Sequence, residues 1–600
     1  MKACLATVIA GWAVCVFSQS SVDSVIKVTG SDEFGSAGVG IYTPEIRENM
    51  KKLYEDKFGM FVHFGPYAQL EGMWDGKEVT GEWIMKRAFI PVKDYEREAA
   101  GKFKPVKFNA ADWVTIAENA GMRFIVLTAK HHDGFAMYQS KHPYNLVEFA
   151  GYGRDILKEL SEECAERDMK LGFYYSQSQD WHEPGGFGNH WDFEGNLKPQ
   201  DKFDAYFEEK AVMQVEELTQ NYGDVFMVWF DTPVQMDDEK CQQMMDVVKA
   251  NQPGALVNSR LGKGYGHFDV SIDNGKTPAV SKATWLPDLK VPWQTHESVT
   301  EGGWGYTCFG GDNDRSEEYT EFIYSLCRIV CYGGVYLLNV APQPDGTIPQ
   351  SQVNTITAMG DWLKVNGEAI YGADPSPLKF PPYAITSKPG KVYLHLKEIE
   401  GNEVKLNGLL SKVRKVYGLA DVSKQALDFK QHEAQLCINL PDEKKQPRVT
   451  VIVLELEDEV SQVIDETIQQ AADGSIHMPV AKCEYSVRRI SYDYDAQTTR
   501  NWGGKDNQGL VWTVNVKQPG TYQVFSEDNG DEKLGYELKT PSDRLMVRPG
   551  GPVGEMTKKP VGEIGIDQPG ILQITAYPAD TISWFNDFRL KGVKLVPVEK

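Results

Sequence analysis

Short, almost unbroken apolar runs recur along the first half of the chain, and most are separated by stretches whose apolar residues repeat with helical spacing. The clearest is Val225 to Phe230, which runs straight into Asp231 and is followed by Thr232 and Pro233. A run that short, rich in Val and aromatics, reads as a strand buried on both faces, as in a parallel sheet. Others are Phe58–Phe64, Phe124–Ala129, Lys170–Ser176, Ala255–Arg260, His267–Ile272, Val291–Ser298 and Gly334–Val340. Helices are expected over Ala110–Ala120, Asp155–Arg167, Phe203–Asn221 and Asp237–Asn251. About eight strands, most of them alternating with helices, predict an irregular (β/α)8 barrel.

The texture changes near Pro375. Lys391–Leu396, Val413–Tyr417 and Val449–Leu456 read as strands joined by turns, and a second all-β stretch holds Gly509–Asn515, Gly520–Phe525 and Gly570–Thr575. The expected partition is a catalytic barrel over 21–372, a β-sandwich over 373–462 and a second β-sandwich over 463–600, the last a candidate carbohydrate-binding module.

Polar and aromatic side chains collect at the carboxyl ends of the barrel strands. They are His63, His131 with His132, Tyr174, Trp229 with Asp231, Arg260, and His296 with Glu297. In a parallel barrel these ends share one face, where active sites form. A single His there is more often a satisfied structural group, and a single strand-end Asp is as often a cap. Six strands ending this way point to one pocket.

The set His63-Phe-Gly65, Glu82-Trp83, Lys130-His-His-Asp-Gly-Phe135, Tyr174-Tyr-Ser176, Trp229-Phe-Asp231 and Trp304-Gly-Tyr306 resembles the α-L-fucosidases of glycoside hydrolase family 29. The likeness spans about residues 40 to 370. It implies a retaining hydrolase of α-linked L-fucose, with Asp231 attacking the anomeric carbon and a second acid protonating the leaving oxygen. Retaining pairs stand roughly 5–5.5 Å apart. It further implies that His63, His131 and His132 bind ring hydroxyls and that Tyr174 and Arg260 lie near the nucleophile. Trp83, Trp229 and Trp304 would wall the sugar. No metal or other cofactor is implied.

At the acid/base the chain departs from the family pattern. Thr277-Pro278 is followed by Ala279, and Trp293 is followed by Gln294, where Glu would be expected. Glu297 is the first choice, provided a bulge turns it inward. His296, which shares the face of Gln294, is the alternative, and Glu301, Asp273 and Glu71 remain open. α-L-Galactosidase or endo-fucanase chemistry, or silent glycan binding, are the competing readings.

Composition narrows the partners. The net charge of −22 over 600 residues disfavours nucleic acid and anionic membranes. A fucosylated oligosaccharide or polysaccharide is the expected partner, without membrane insertion, and oligomeric state is not legible. Residues 1–20 have the basic, apolar and small-residue order of a signal peptide, which predicts a secreted or periplasmic protein. Cys4 and Cys15 fall in that segment, and the remaining cysteines are too scattered for a disulfide framework. Cys327 and Cys331, four apart, are expected to be buried helix thiols rather than metal ligands.

Overall fold

The computed structural model describes residues 43–193, 200–270, 293–310 and 319–458 apart from 379–382, 398, 400 and 433. Beyond these it describes 467–485, 491–493, 498–500, 509–528, 535–548, 557, 559–579 and 589–598. The segment expected to be a signal peptide and the stretch containing Asp273, Thr277, Pro278 and Ala279 lie outside the described residues.

Eight parallel strands form one sheet: Phe58–Val62, Phe124–Lys130, Lys170–Tyr175, Met227–Phe230, Leu256–Val257, Asp269–Val270, Trp293–Ser298 and Gly334–Val340. Each pairs with its successor along this series except the fifth and sixth, and the eighth pairs back to the first. A parallel bridge between Asn258 and Phe268 joins the fifth to the sixth, so the ladder runs around a (β/α)8-like ring. The fifth and sixth strands are two residues each and are joined by a single 3-10 turn, Ser259–Leu261, which is where the barrel is irregular.

The helices start where capping side chains can satisfy their first N–H groups. Asn109 caps Ala110–Asn119, Asp155 caps Ile156–Glu166 and Asp237 caps Asp238–Asn251. The run expected over Phe203–Asn221 forms as Gln200–Tyr206, a π turn at Phe207–Val212, and Met213–Asn221. Inside the barrel, Phe61, Val126, Tyr174, Trp229, Phe268 and Leu337 belong to one buried cluster. Cys327 and Cys331 are buried on the helix Tyr319–Cys331, and burial pushes the Cys331 thiol up to about 12.

The β-rich region that follows belongs to the same compact unit as the barrel. A sheet in the order Ala384–Lys388, Lys391–Leu396, Thr450–Leu456, Val413–Gly418 faces a three-stranded sheet of Glu403–Asn407, Gln435–Asn439 and Phe429–His432. Leu394, Ile452 and Leu454 of the first share a buried core with Val404, Leu436 and Ile438 of the second. Trp362, on the last barrel helix, donates its Nε1–H to Val449 O at 2.9 Å. Residues from 461 onward form a separate compact unit. It has a six-stranded sheet built around Leu510–Val516 and Gly570–Pro578, and a four-stranded one built around Gly520–Asp528 and Leu590–Pro597. Alternate residues of Leu510–Val516 are buried, the mark of a sheet with one face on a core.

Candidate active site

Asp231 follows the fourth strand and leaves the sheet with Thr232 in a left-handed turn, φ 47°. Its main-chain N–H donates to Gln177 Oε1 at 3.0 Å, and Gln177 Nε2 donates to Arg260 O at 3.0 Å. One amide therefore fixes both the acid and its cation. Arg260 Nε donates to Asp231 Oδ1 at 2.6 Å, its guanidinium pairs with the same oxygen, and Tyr174 OH donates to Oδ2 at 2.7 Å. His132 Nε2 stands 3.4 Å from Oδ2. Burial alone would raise this carboxyl. Arg260, then His132 and Tyr174, outweigh it and hold Asp231 well below the usual carboxylate range. The group is an anion at neutral pH, seated in an apolar and aromatic pocket.

Three imidazoles surround it. His63 N–H and Nδ1 both meet Asn339 Oδ1, at 3.1 and 2.8 Å, while Asn339 Nδ2 donates to Ser298 Oγ and Trp304 O, each at 2.8 Å. The network assigns the His63 proton to Nδ1 and leaves Nε2 as an acceptor. Burial lowers His63 to about 4, against the pull of Asn339 and Asp231, so the ring is neutral. His132 is set by Ser176 Oγ, 2.6 Å from its Nδ1. His131 stacks on Tyr174 with centroids 5.5 Å apart, and its buried Nδ1 has no partner among the described residues. Buried polar atoms are rarely left so, and a sugar hydroxyl would satisfy this one.

The aromatic walls follow from the same strand ends. Trp229 stacks on Tyr174 at 5.5 Å and donates its indole N–H to Gln294 Oε1 at 2.8 Å. Gln294 is thus a brace for Trp229, and its Nε2 is buried without a partner among the described residues. Trp304 lies 5.4 Å from His63 and 5.0 Å from His296, and Trp83 meets His132 edge-on at 5.1 Å. Glu82 secures this wall: its Oε2 accepts from Trp304 N at 2.6 Å and Gly305 N at 2.8 Å.

The seventh strand separates the two expected acids. In register with the eighth, His296 pairs with Leu337 and Glu297 with Leu338, without a break from Trp293 to Ser298. Leu337 belongs to the barrel-interior cluster, so His296 points inward with it, beside Phe61, Trp229 and Trp304. Glu297 takes the opposite face, where Tyr336 OH donates to its Oε2 at 2.6 Å. The bulge that would turn Glu297 inward does not form, and its placement is corrected accordingly. Burial, aided by Arg260, lowers His296 to about 3 against the pull of Asp231. Glu71 is an exposed residue, and Glu301 is half-buried in the turn before Trp304.

A buried ion cluster beneath the imidazoles was not anticipated from sequence. Lys130 Nζ and Lys210 Nζ both pair with Asp180 Oδ2, at 3.1 and 2.9 Å, with Lys130 and Asp180 fully buried. The cluster ties the Lys130–Phe135 turn to the loop after Tyr175. Trp181 N donates to His132 O at 2.8 Å, and Gly134, at φ 79°, leaves no room for a Cβ beside Asp180 Oδ1, 2.1 Å away. The signal was present, since Lys130 opens the His-His-Asp-Gly-Phe run and Asp180 sits just past a strand end. Among the described residues no group of His, Cys, Asp and Glu has the geometry of a metal site.

Comparison with known proteins assigns the class. A family model described as α-L-fucosidase matches residues 42–368, and the chain belongs to that family of glycoside hydrolases. It is similar to the tissue α-L-fucosidase of Rattus norvegicus, 28% identical over 374 residues covering 58% of this chain and 77% of that one. It is also 30% identical to the plasma α-L-fucosidase of Homo sapiens over 341 residues, 52% of this chain and 68% of that one. Among solved structures, an α-L-fucosidase from Vibrio sp. strain EJY3 shares the fold with a TM-score of 0.68 at 24% identity, covering 92% of this chain and 98% of that one. Isoenzyme 1 from Paenibacillus thiaminolyticus matches with a TM-score of 0.59 at 27% identity, over 69% of this chain and all of that one.

Proposed function

We propose that the protein is a retaining exo-α-L-fucosidase acting on fucosylated oligosaccharides or polysaccharides. The observation that carries the reading is the carboxylate of Asp231, held ionised by Arg260 and Tyr174 among neutral imidazoles and tryptophans. Asp231 attacks the anomeric carbon as the bond to the leaving oxygen breaks and that oxygen takes a proton, leaving a fucosyl ester. Water then attacks the same carbon and gives up a proton, the ester bond breaks, and fucose leaves with the Asp231 carboxylate restored. His63 accepts from one ring hydroxyl through Nε2, while His131, His132 and the Gln294 amide bind others. Trp229 and Trp304 give the C6 methyl an apolar wall. His296 is the proton donor to the leaving oxygen, since it shares the interior face with Trp229 and Glu297 does not. Burial keeps the His296 ring neutral at neutral pH, so it must first take up a proton from solvent before it can give one to the leaving oxygen, and turnover should rise as the pH falls.

The two sheets of the region after the barrel are read as a β-sandwich over 373–462, and the last unit as a second one, 463–600, that binds polysaccharide. Residues 1–20 are read as a signal peptide, with export of the remaining chain. Hydrolysis of an aryl α-L-fucoside by the wild type and by Asp231→Asn tests the activity. Turnover by the first and its loss in the second is expected, and a wild type that binds fucose without turning over would leave a lectin-like protein.

A further inference from the structure

Lys86 sits on the short helix Ile84–Arg87, in the long loop that leaves the first barrel strand. Its Nζ lies over two indoles, 5.0 Å from the centroid of Trp83 and 5.9 Å from that of Trp181. Those rings pack in turn against His132, at 5.1 and 5.5 Å, and His132 feels the Lys86 charge. The ammonium is therefore one aromatic layer away from the His132 imidazole that faces Asp231. It is half-buried, and burial with the neighbouring Arg87 pushes its pKa down, with no carboxylate among the described residues to oppose them. In a chain with a net charge of −22, a cation placed here without a counter-ion among the described residues stands out. The indole faces stabilise it in part.

We infer that Lys86 anchors a subsite for an acidic substituent, a sulfate ester or a carboxylate, on the sugar to which the fucose is joined. Lys86 is half-buried and reaches Asp231 only through Trp83, Trp181 and His132, so it stands outside the position of the fucose ring, where a joined sugar would lie. The adjoining surface suits a sugar ring. Phe89 is 56% exposed and meets His190 and Trp191, each with centroids 5.8 Å away. Phe89 also holds a left-handed φ of 50°, unusual for a bulky side chain and more common where a ligand is clamped. Trp191 Nε1 donates to Ile90 O at 2.9 Å, fixing this aromatic rim to the Lys86 loop. An anion brought here by the aglycone would supply the missing charge, and the exposed rings would take the apolar face of its sugar.

The inference rests on the fucosidase reading, and the test separates the two. Matched fucosyl oligosaccharides, neutral, sulfated and uronate-bearing, are compared as substrates of the wild type, Lys86→Met and Lys86→Arg. The wild type should favour one acidic glycan over the neutral one by about five- to tenfold in kcat/KM at low salt, with the advantage shrinking in about 0.5 M NaCl. Lys86→Met should bring that ratio close to one, and Lys86→Arg should keep most of it. The larger of the sulfate and uronate ratios identifies the group. A wild-type ratio near one, or the same ratio in Lys86→Met, overturns the inference. If no glycan is turned over, the fucosidase reading fails instead. The ratio of affinities for Asp231→Asn by calorimetry then still decides the role of Lys86.

Discussion

Replacing Asp180 by Asn isolates the charge that underlies the catalytic loops. The amide keeps Oδ1, which accepts from His182 N at 3.2 Å and Glu183 N at 3.1 Å, so the turn retains its hydrogen bonds. What is lost is the counter-charge to two buried ammonium groups. Lys210 keeps Glu183 Oε1 at 3.4 Å, whereas the hydrogen-bond partners left to Lys130 are dipoles, Ser176 O at 2.7 Å, Gln179 O at 3.2 Å and Tyr206 OH at 3.0 Å. The Asp133 charge acts on Lys130 without a direct bond. Removing one partner of a buried pair costs about 3–5 kcal/mol. Lys130 can escape by losing its proton. Measured from its folded value of about 8, that route caps the loss through Lys130 at about 1.4 kcal/mol at pH 7 and close to zero at pH 9. With Asp180 present, burial already lowers Lys130 to about 8. The variant lowers it further, so the unfolded chain binds more protons than the folded one and the variant gains stability as the pH rises toward 10. Urea denaturation followed by circular dichroism at pH 7 and pH 9 reads this directly. The expected outcome is a loss of about 1–2 kcal/mol at pH 7 that falls close to zero at pH 9. A variant as stable as the wild type at pH 7, or a loss that does not change with pH, would refute the reasoning.

Further outcomes follow from the same geometry. His296→Asn should lower kcat/KM for an unactivated fucosyl glycan by about 10²–10⁴ while sparing the bond-breaking step of a chloronitrophenyl fucoside, whose leaving group needs no proton. Glu297→Gln should change neither rate and cost only about 1 kcal/mol of stability through its bond to Tyr336. Arg260→Met leaves burial less opposed at Asp231, so the acid limb of kcat/KM against pH should move upward. Lys57 is buried over the Tyr54 ring, its Nζ has no hydrogen-bond partner among the described residues, and burial lowers it to about 7 against Asp374 and Glu55. Lys57→Met should therefore raise stability by up to about 4 kcal/mol below pH 7, a gain that fades by about pH 10, as urea titrations across that range would report.

The barrel was legible because parallel strands buried on both faces are written as short apolar runs, and the polar residue ending each run marks the face where the loops converge. Asp231, Arg260, Tyr174 and the three strand-end imidazoles meet for that reason. Glu297 was misplaced because a run of six residues can be read with either face inward. The period of two places Glu297 opposite His296, and only the register with Gly334–Val340 shows that no bulge intervenes. The braces were harder to read. Asn339 holds His63 across 276 residues, Gln294 holds Trp229 across 65, and Asp180 neutralises Lys130 across a loop. Each is an ordinary polar residue until the ring of strands brings its partner alongside. Gln294 in particular read as a missing acid, yet its carbonyl oxygen is what the Trp229 indole N–H requires.

The central claim is that Asp231 carries the sugar. Incubation with a 2-deoxy-2-fluoro-α-L-fucosyl donor, which slows both steps, followed by proteolysis and mass spectrometry of the peptide spanning Asp231, addresses it directly. The account predicts a fluorofucosyl adduct on Asp231 in the wild type and none in Asp231→Asn. An active enzyme that leaves this peptide unlabelled, or that carries the label on another residue, would contradict it.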